Sequence, residues 1–115
     1  MVRIVKRVTL AVALASVGMV AHAAVRAPHA RPGELILFEQ RNYLGDDVSV
    51  LKDAPSVSTN WDVGSIAIYP GETWQLCNKP VYRGTCITLT ESVPDASKIG
   101  IMGQVPSIRK MPKAP

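Results

Sequence analysis

From residue 34 to residue 111 apolar and polar positions alternate in short runs, and no segment carries apolar residues at the spacing of a long helix. Residues 34–39 read as a first strand. Asp47-Val48-Ser49-Val50 alternates with the period of a strand buried on one face. Residues 65–69 set Ile66 and Ile68 on one face, 73–78 set Trp74 and Leu76, and 85–90 set Ile87 and Leu89. Pro70-Gly71 marks a turn between them. Residues 52–60 hold Asp, Pro, Ser and Thr without a sustained pattern, and a short strand is expected at 56–59. One helical turn is expected at 96–99, and a last strand at 107–111, with a fraying tail at 112–115. The elements predict an all-β domain.

The pattern is written twice. Phe38-Glu39-Gln40-Arg41-Asn42-Tyr43-Leu44-Gly45 is an aromatic, four residues, a second aromatic, one residue and a glycine. At an offset of 39, Tyr43 maps to Tyr82, Gly45 to Gly84, Val48 to Ile87, Val50 to Leu89 and Pro55 to Pro94. Further on, the offset is 42, and Ser65-Ile66 maps to Ser107-Ile108. A one-residue slip would turn each apolar set outward, so an in-phase match over both halves carries information. A duplicated unit of four strands implies paired Greek keys, because two sheets must cover each other's apolar faces.

These residues resemble the βγ-crystallin family over residues 34–111. The marks are the two aromatic–glycine hairpins, each followed by a Ser-Ile pair at the start of its unit's last strand. The resemblance implies a sandwich of two four-stranded Greek-key motifs, 34–70 and 71–111. In such a motif the hairpin folds over its sheet. Gly45 and Gly84 permit a positive φ there, Phe38 and Tyr43 pack as an aromatic clamp, and the hydroxyls of Ser65 and Ser107 bond to hairpin backbone groups. In the second unit Cys77 stands where the first has Phe38. Alternation points Trp74, Leu76, Ile87 and Leu89 inward, so Cys77 and Cys86 are expected to face outward together and form a disulfide in place of the missing aromatic.

Composition and charge change the picture at the N-terminus. Arg3, Lys6 and Arg7 precede an uncharged run from Val8 to Val20, and Ala21-His22-Ala23 offers small residues for cleavage, so residues 1–23 read as a secretory signal. The run would form a helix of roughly 20 Å, too short to span a bilayer core of about 30 Å. Cleavage predicts a secreted or periplasmic protein with no membrane insertion, beginning with a flexible leader at 24–33. The net charge of +4 becomes +1 once three cations leave with the signal (10 Lys and Arg against 9 acids), and the remaining charges are mixed in sign. That excludes a nucleic-acid binder, which needs a concentrated basic face. Arg41, Lys79 and Arg83 are expected to be solvated. An even cysteine pair in an exported chain supports the bridge.

Candidate chemistry is thin. Many microbial members of the family bind calcium through two Asn/Asp, two variable residues, Ser/Thr and Ser. The first matching window is Asn60-Trp61-Asp62-Val63-Gly64-Ser65, in which Trp61 and Gly64 depart from the pattern; the second, residues 102–107, keeps only Ser107. Asn60, Asp62 and Ser65 remain as candidate ligands for a weak site, short of the six to eight oxygens calcium takes. No catalytic set is expected: His29 lies alone in the leader, no base serves a nucleophile, and Asp46-Asp47 follows a hairpin glycine. The expected function is a non-catalytic exported stability module. The alternative is a secreted protease inhibitor or toxin-like binder with an unknown protein partner, recognising it through residues 92–106. A calcium-regulated adhesion or coat component is a third reading.

Overall fold

The computed structural model describes residues 26–100 and 103–112; the expected signal segment, residues 24–25 of the leader and residues 113–115 lie outside them. Six strands form: β1 (Leu35–Gln40), β2 (Leu44–Val50), β3 (Ser65–Ile68), β4 (Thr73–Lys79), β5 (Arg83–Leu89) and β6 (Ser107–Met111). They make two antiparallel sheets, ordered β2-β1-β3 and β5-β4-β6. The repeat is a repeat of register. Leu35 pairs with Val50 and Phe38 with Asp47, while 39 residues later Trp74 pairs with Leu89 and Cys77 with Cys86. Among the described residues, no helix is long and apolar enough to cross a membrane.

The inward faces meet as alternation requires. Leu35, Leu37, Val50, Ile66 and Ile68 from one sheet pack with Trp74, Leu76, Leu89 and Ile108 from the other, and Val63, Val93, Ala96 and Val105 close the ends. Each large side chain removed from water in this way stabilises the fold by about 1.5–3 kcal/mol. Trp74 is fully buried, and its indole N–H donates to Glu72 Oε1 at 3.2 Å.

The third strand of each unit differs from a four-stranded motif. No strand forms at 56–59; the third segment is reduced to a single bridge, and it crosses to the other sheet. Ala54 and Ile108 exchange N–H···O bonds of 2.7 and 2.9 Å, and Ile66 and Val93 exchange bonds of 2.9 and 2.8 Å. Pro55 and Pro94 follow these bridges and lack the donor that would extend a ladder. Val57 N–H donates to Pro106 O and Val63 N–H to Gly103 O, again across the units. Each unit's sheet is therefore completed by backbone from the other. The helical turn at Ala96–Ile99 does form, as one 3-10 turn, with Asp95 Oδ1 accepting from Ser97 N–H at 3.1 Å.

The end of the expected leader is tied to the domain. Ala30 is buried, and Gly33 N–H donates to Glu72 Oε2 at 2.7 Å, so one carboxylate joins the leader to the Trp74 indole. Glu34 is buried too; the bond it accepts from Arg31 N–H at 2.9 Å holds its carboxyl below the usual range, against the opposing effect of burial.

Candidate functional site

The hairpins are the most constrained part of the chain. After β1 the backbone turns through Asn42 and Tyr43, both in the left-handed region at φ 60° and 61°, and then Gly45 at φ 83°. The second hairpin repeats this with Val81 at 57°, Tyr82 at 59° and Gly84 at 79°. Asn tolerates that conformation through its short polar side chain. A β-branched valine does not, and the left-handed backbone costs it about 1–2 kcal/mol. Added Cβ atoms at the two glycines would collide as well: at Gly45 one would lie 2.9 Å from Glu39 Oε1, and at Gly84 one would overlap Asn78 Oδ1.

One hydroxyl holds each fold. Ser65 Oγ donates to Gln40 O at 2.6 Å and accepts from Tyr43 N–H at 2.9 Å. Ser107 Oγ donates to Lys79 O at 2.6 Å and accepts from Tyr82 N–H at 3.0 Å. Both serines are fully buried. The hairpin tips then reach the opposite unit: Asn42 N–H donates to Pro94 O and Val81 N–H to Pro55 O, each at 2.9 Å.

The two clamps differ. Phe38 meets Tyr43 edge to face, with centroids 5.8 Å apart at 78°. Burial pushes the Tyr43 phenol above its ordinary value. In the second unit Cys77 and Cys86 are bonded across directly opposed strand positions, with Cα atoms 4.0 Å apart. Closing a loop this short stabilises by about 2–3 kcal/mol in the chain-entropy account. Cys77 does lie opposite the inward pair Trp74 and Leu76, but it is fully buried rather than surface-facing. Alternation gives a side chain's direction, and here the folded hairpin covers that outer face. Arg109, unmarked by any sequence signal singled out above, lies 4.3 Å from the Tyr82 ring centroid, and its Nε–H donates to Gln75 Oε1 at 2.8 Å. Its repeat mate, at the offset of 42, is the buried Ala67. The first unit thus has a large aromatic at 38 and a small alanine at 67, where the second has a small cysteine at 77 and a long arginine at 109. That paired exchange of size was the available clue.

The candidate calcium ligands sit in different environments. Ser65 has its hydroxyl committed to the first hairpin. Gly64 is pressed against backbone: an added Cβ would fall on Glu39 O and the Gln40 carbonyl carbon. Its N–H donates to Phe38 O at 2.8 Å. The missing ligand hydroxyl is therefore a steric requirement of this packing. Asn60 and Asp62 are exposed, with Asp62 beside Gly103 of the second window, whose first residue, Met102, lies outside the described residues. An open groove of about 460 Å³ between the window and the hairpin is lined by Glu39, Gln40, Arg41, Asn42 and Gly64, so a guanidinium borders it along with the carboxylate. Among the described residues, no three His, Cys, Asp or Glu side chains gather as a metal site. The described part of residues 92–106 is anchored at several points. Ser92 Oγ accepts from Ile68 N–H at 2.9 Å, Val93 is bridged, Ala96 N–H donates to Gly64 O at 2.9 Å, and Val105 is buried.

Removing either clasp hydroxyl leaves a hairpin N–H and C=O without their partner. Ser65→Ala and Ser107→Ala are each expected to lower unfolding stability by about 1–3 kcal/mol in urea titration. A loss under about 0.5 kcal/mol, the ordinary scale of a surface change, would contradict the clasp.

Comparison with known proteins bears on this geometry directly. The Beta/Gamma crystallin family model matches residues 34–111. Comparison with curated proteins returns no match. Among solved structures, a domain described under the evolution of the eye lens beta-gamma-crystallin domain fold aligns with TM-score 0.66 and 19% identity, over 77% of this chain and 95% of that one. A βγ-crystallin from an archaeon aligns with TM-score 0.59 and 24% identity, over 68% of this chain and 96% of that one. IPSE/alpha-1 from Schistosoma mansoni eggs aligns with TM-score 0.60 and 26% identity, over 70% and 87%. Two folded hairpins, each clasped by the serine of a Ser-Ile pair and each sheet completed from the other unit, together with the match across 34–111, make this chain a member of the βγ-crystallin family.

Proposed function

We propose that the protein is an exported, non-catalytic βγ-crystallin-type stability module with at most weak calcium binding. The observation that carries this reading is the commitment of its polar groups to structure. Ser65, a candidate ligand, and Ser107, its counterpart in the second window, each have their hydroxyl engaged in both a donated and an accepted hydrogen bond within a hairpin. Gly64 leaves no room for a replacement hydroxyl. The residual donors, Asn60 and Asp62 with nearby carbonyls, fall short of a full calcium shell. Export is supported by the N-terminal pattern and by the Cys77–Cys86 bridge, since such bonds persist in oxidising compartments.

Calorimetry on metal-free protein is expected to show no saturable heat at micromolar calcium, and no rise in melting temperature at about 1 mM. A dissociation constant tighter than about 10 µM, the range of calcium sensors, would overturn the reading. Export predicts a chain recovered from envelope or medium that begins at Ala24 and carries no free thiol. Recovery of full-length reduced protein in the cytosol would contradict it.

A further inference from the structure

The two hairpins share a backbone path and carry opposite charge. Residues 39–47 hold Glu39, Arg41, Asp46 and Asp47, a net −2; the same nine positions one repeat later, 78–86, hold Lys79 and Arg83, a net +2. Each also presents one large apolar side chain to water, Leu44 and Val81, both 57% exposed. Exposed Asp46 and Asp47 follow Leu44, and exposed Lys79 and Arg83 flank Val81. Arg41, the one cation on the first hairpin, leans toward Asp95 at 3.9 Å. Both hairpins run into edge strands, β2 and β5, so among the described residues neither outer edge is covered by a neighbouring strand.

Val81 is the informative residue. Its backbone is in the left-handed region at φ 57°, where its mate Asn42 sits at φ 60°. The valine is unfavourable there in conformation and, being exposed, in hydration. Its N–H bond to Pro55 would serve any residue at that position except proline. A side chain that the free chain would do better without is explained by a contact outside it. The tip that carries it is rigid: Cys77–Cys86 closes its base, and Ser107 and Asn78 bond its flanks through Tyr82 N–H at 3.0 Å and Thr85 N–H at 2.9 Å. Docking it would freeze little additional motion.

We propose that copies of this chain associate head to tail. The tip of the second hairpin seats on the first hairpin of the next copy, with Val81 against Leu44 and with Lys79 and Arg83 against Asp46 and Asp47. The two patches differ, so the contact is heterologous: it yields an open chain or a ring rather than a two-fold dimer. The contact is small and rim-charged, hence weak and sensitive to salt. This deepens the stability-module reading by naming a second copy as its partner, and it rests on residues that reading does not use. Its failure would leave the calcium result untouched.

The test is sedimentation velocity of the purified protein, with its Cys77–Cys86 bridge intact, over a concentration series. At about 0.01 M salt, where the screening length is roughly 30 Å, the weight-average mass is expected to rise with concentration; at about 0.15 M, where it is roughly 8 Å, the rise should shrink. Lys79→Glu/Arg83→Glu and Asp46→Lys/Asp47→Lys should each stay monomeric alone and associate when mixed in equal amounts, since only the mixture restores opposite charges. Val81→Asn should melt at a higher temperature and associate less, which separates a lost contact from a lost fold. A wild-type protein that stays monomeric at low salt, a mixture that fails to associate while both variants melt like the parent, or a dimer indifferent to both charge reversals would overturn the proposal.

Discussion

A buried hydroxyl in each unit sets the terms for the rest of the chain. To fold back over its sheet, a hairpin must pass through the left-handed region at consecutive residues, and this turns a backbone N–H and a backbone C=O toward the start of the unit's last strand. Water would otherwise have to satisfy them. Ser65 and Ser107 do so with one oxygen each, donating to the carbonyl and accepting from the amide. Once the fold is fixed, the outer face beneath it becomes a second, smaller interior. Phe38 and Tyr43 fill it in one unit, and the Cys77–Cys86 bridge with the Arg109–Tyr82 contact occupies it in the other. Gly64 follows from the same constraint, since the folded Glu39–Gln40 backbone occupies the space a side chain would need.

The clasps alone would leave two small units, each with too little core to stand by itself. The crossing segments join them. Ala54 adds to β6 and Val93 to β3, so neither sheet is complete without the other unit's chain. The hairpin tips repeat this exchange through Pro94 and Pro55. Glu72, between the units, links the leader to the central indole. Stability of this kind draws on backbone bonds and buried hydroxyls rather than on reactive side chains.

Much of this could be read from the sequence, because side-chain period and local turn chemistry are local signals. The strands around Ile66, Trp74, Leu76, Ile87 and Leu89 followed from alternation, and the two hairpins from their aromatic–glycine spacing. The turn at Ala96–Ile99 followed from short-range composition, and its Asp95–Ser97 cap lies within the same few residues. What escaped was set by partners distant in the chain. The crossing strands are single backbone bridges and leave no side-chain period to detect. Cys77 was assigned the correct side of its strand, but its burial depends on a hairpin that folds over it. Gly64 looked like a decayed ligand position; its necessity comes from backbone some 25 residues earlier. Arg109 showed itself only when its size was set against Ala67 and the exchange of Phe38 for Cys77.

Native-state hydrogen exchange probes the mutual completion of the two units most directly. The amides of Tyr43 and Tyr82, which donate to the clasp serines, and those of Ala54, Ile66, Val93 and Ile108, which bridge the units, should all exchange through one opening whose free energy equals that of global unfolding. If Tyr82, Ala54 and Ile108 exchanged together through a cheaper opening while Tyr43, Ile66 and Val93 stayed protected, the units would be separable, and the dependence of each sheet on the other would be wrong.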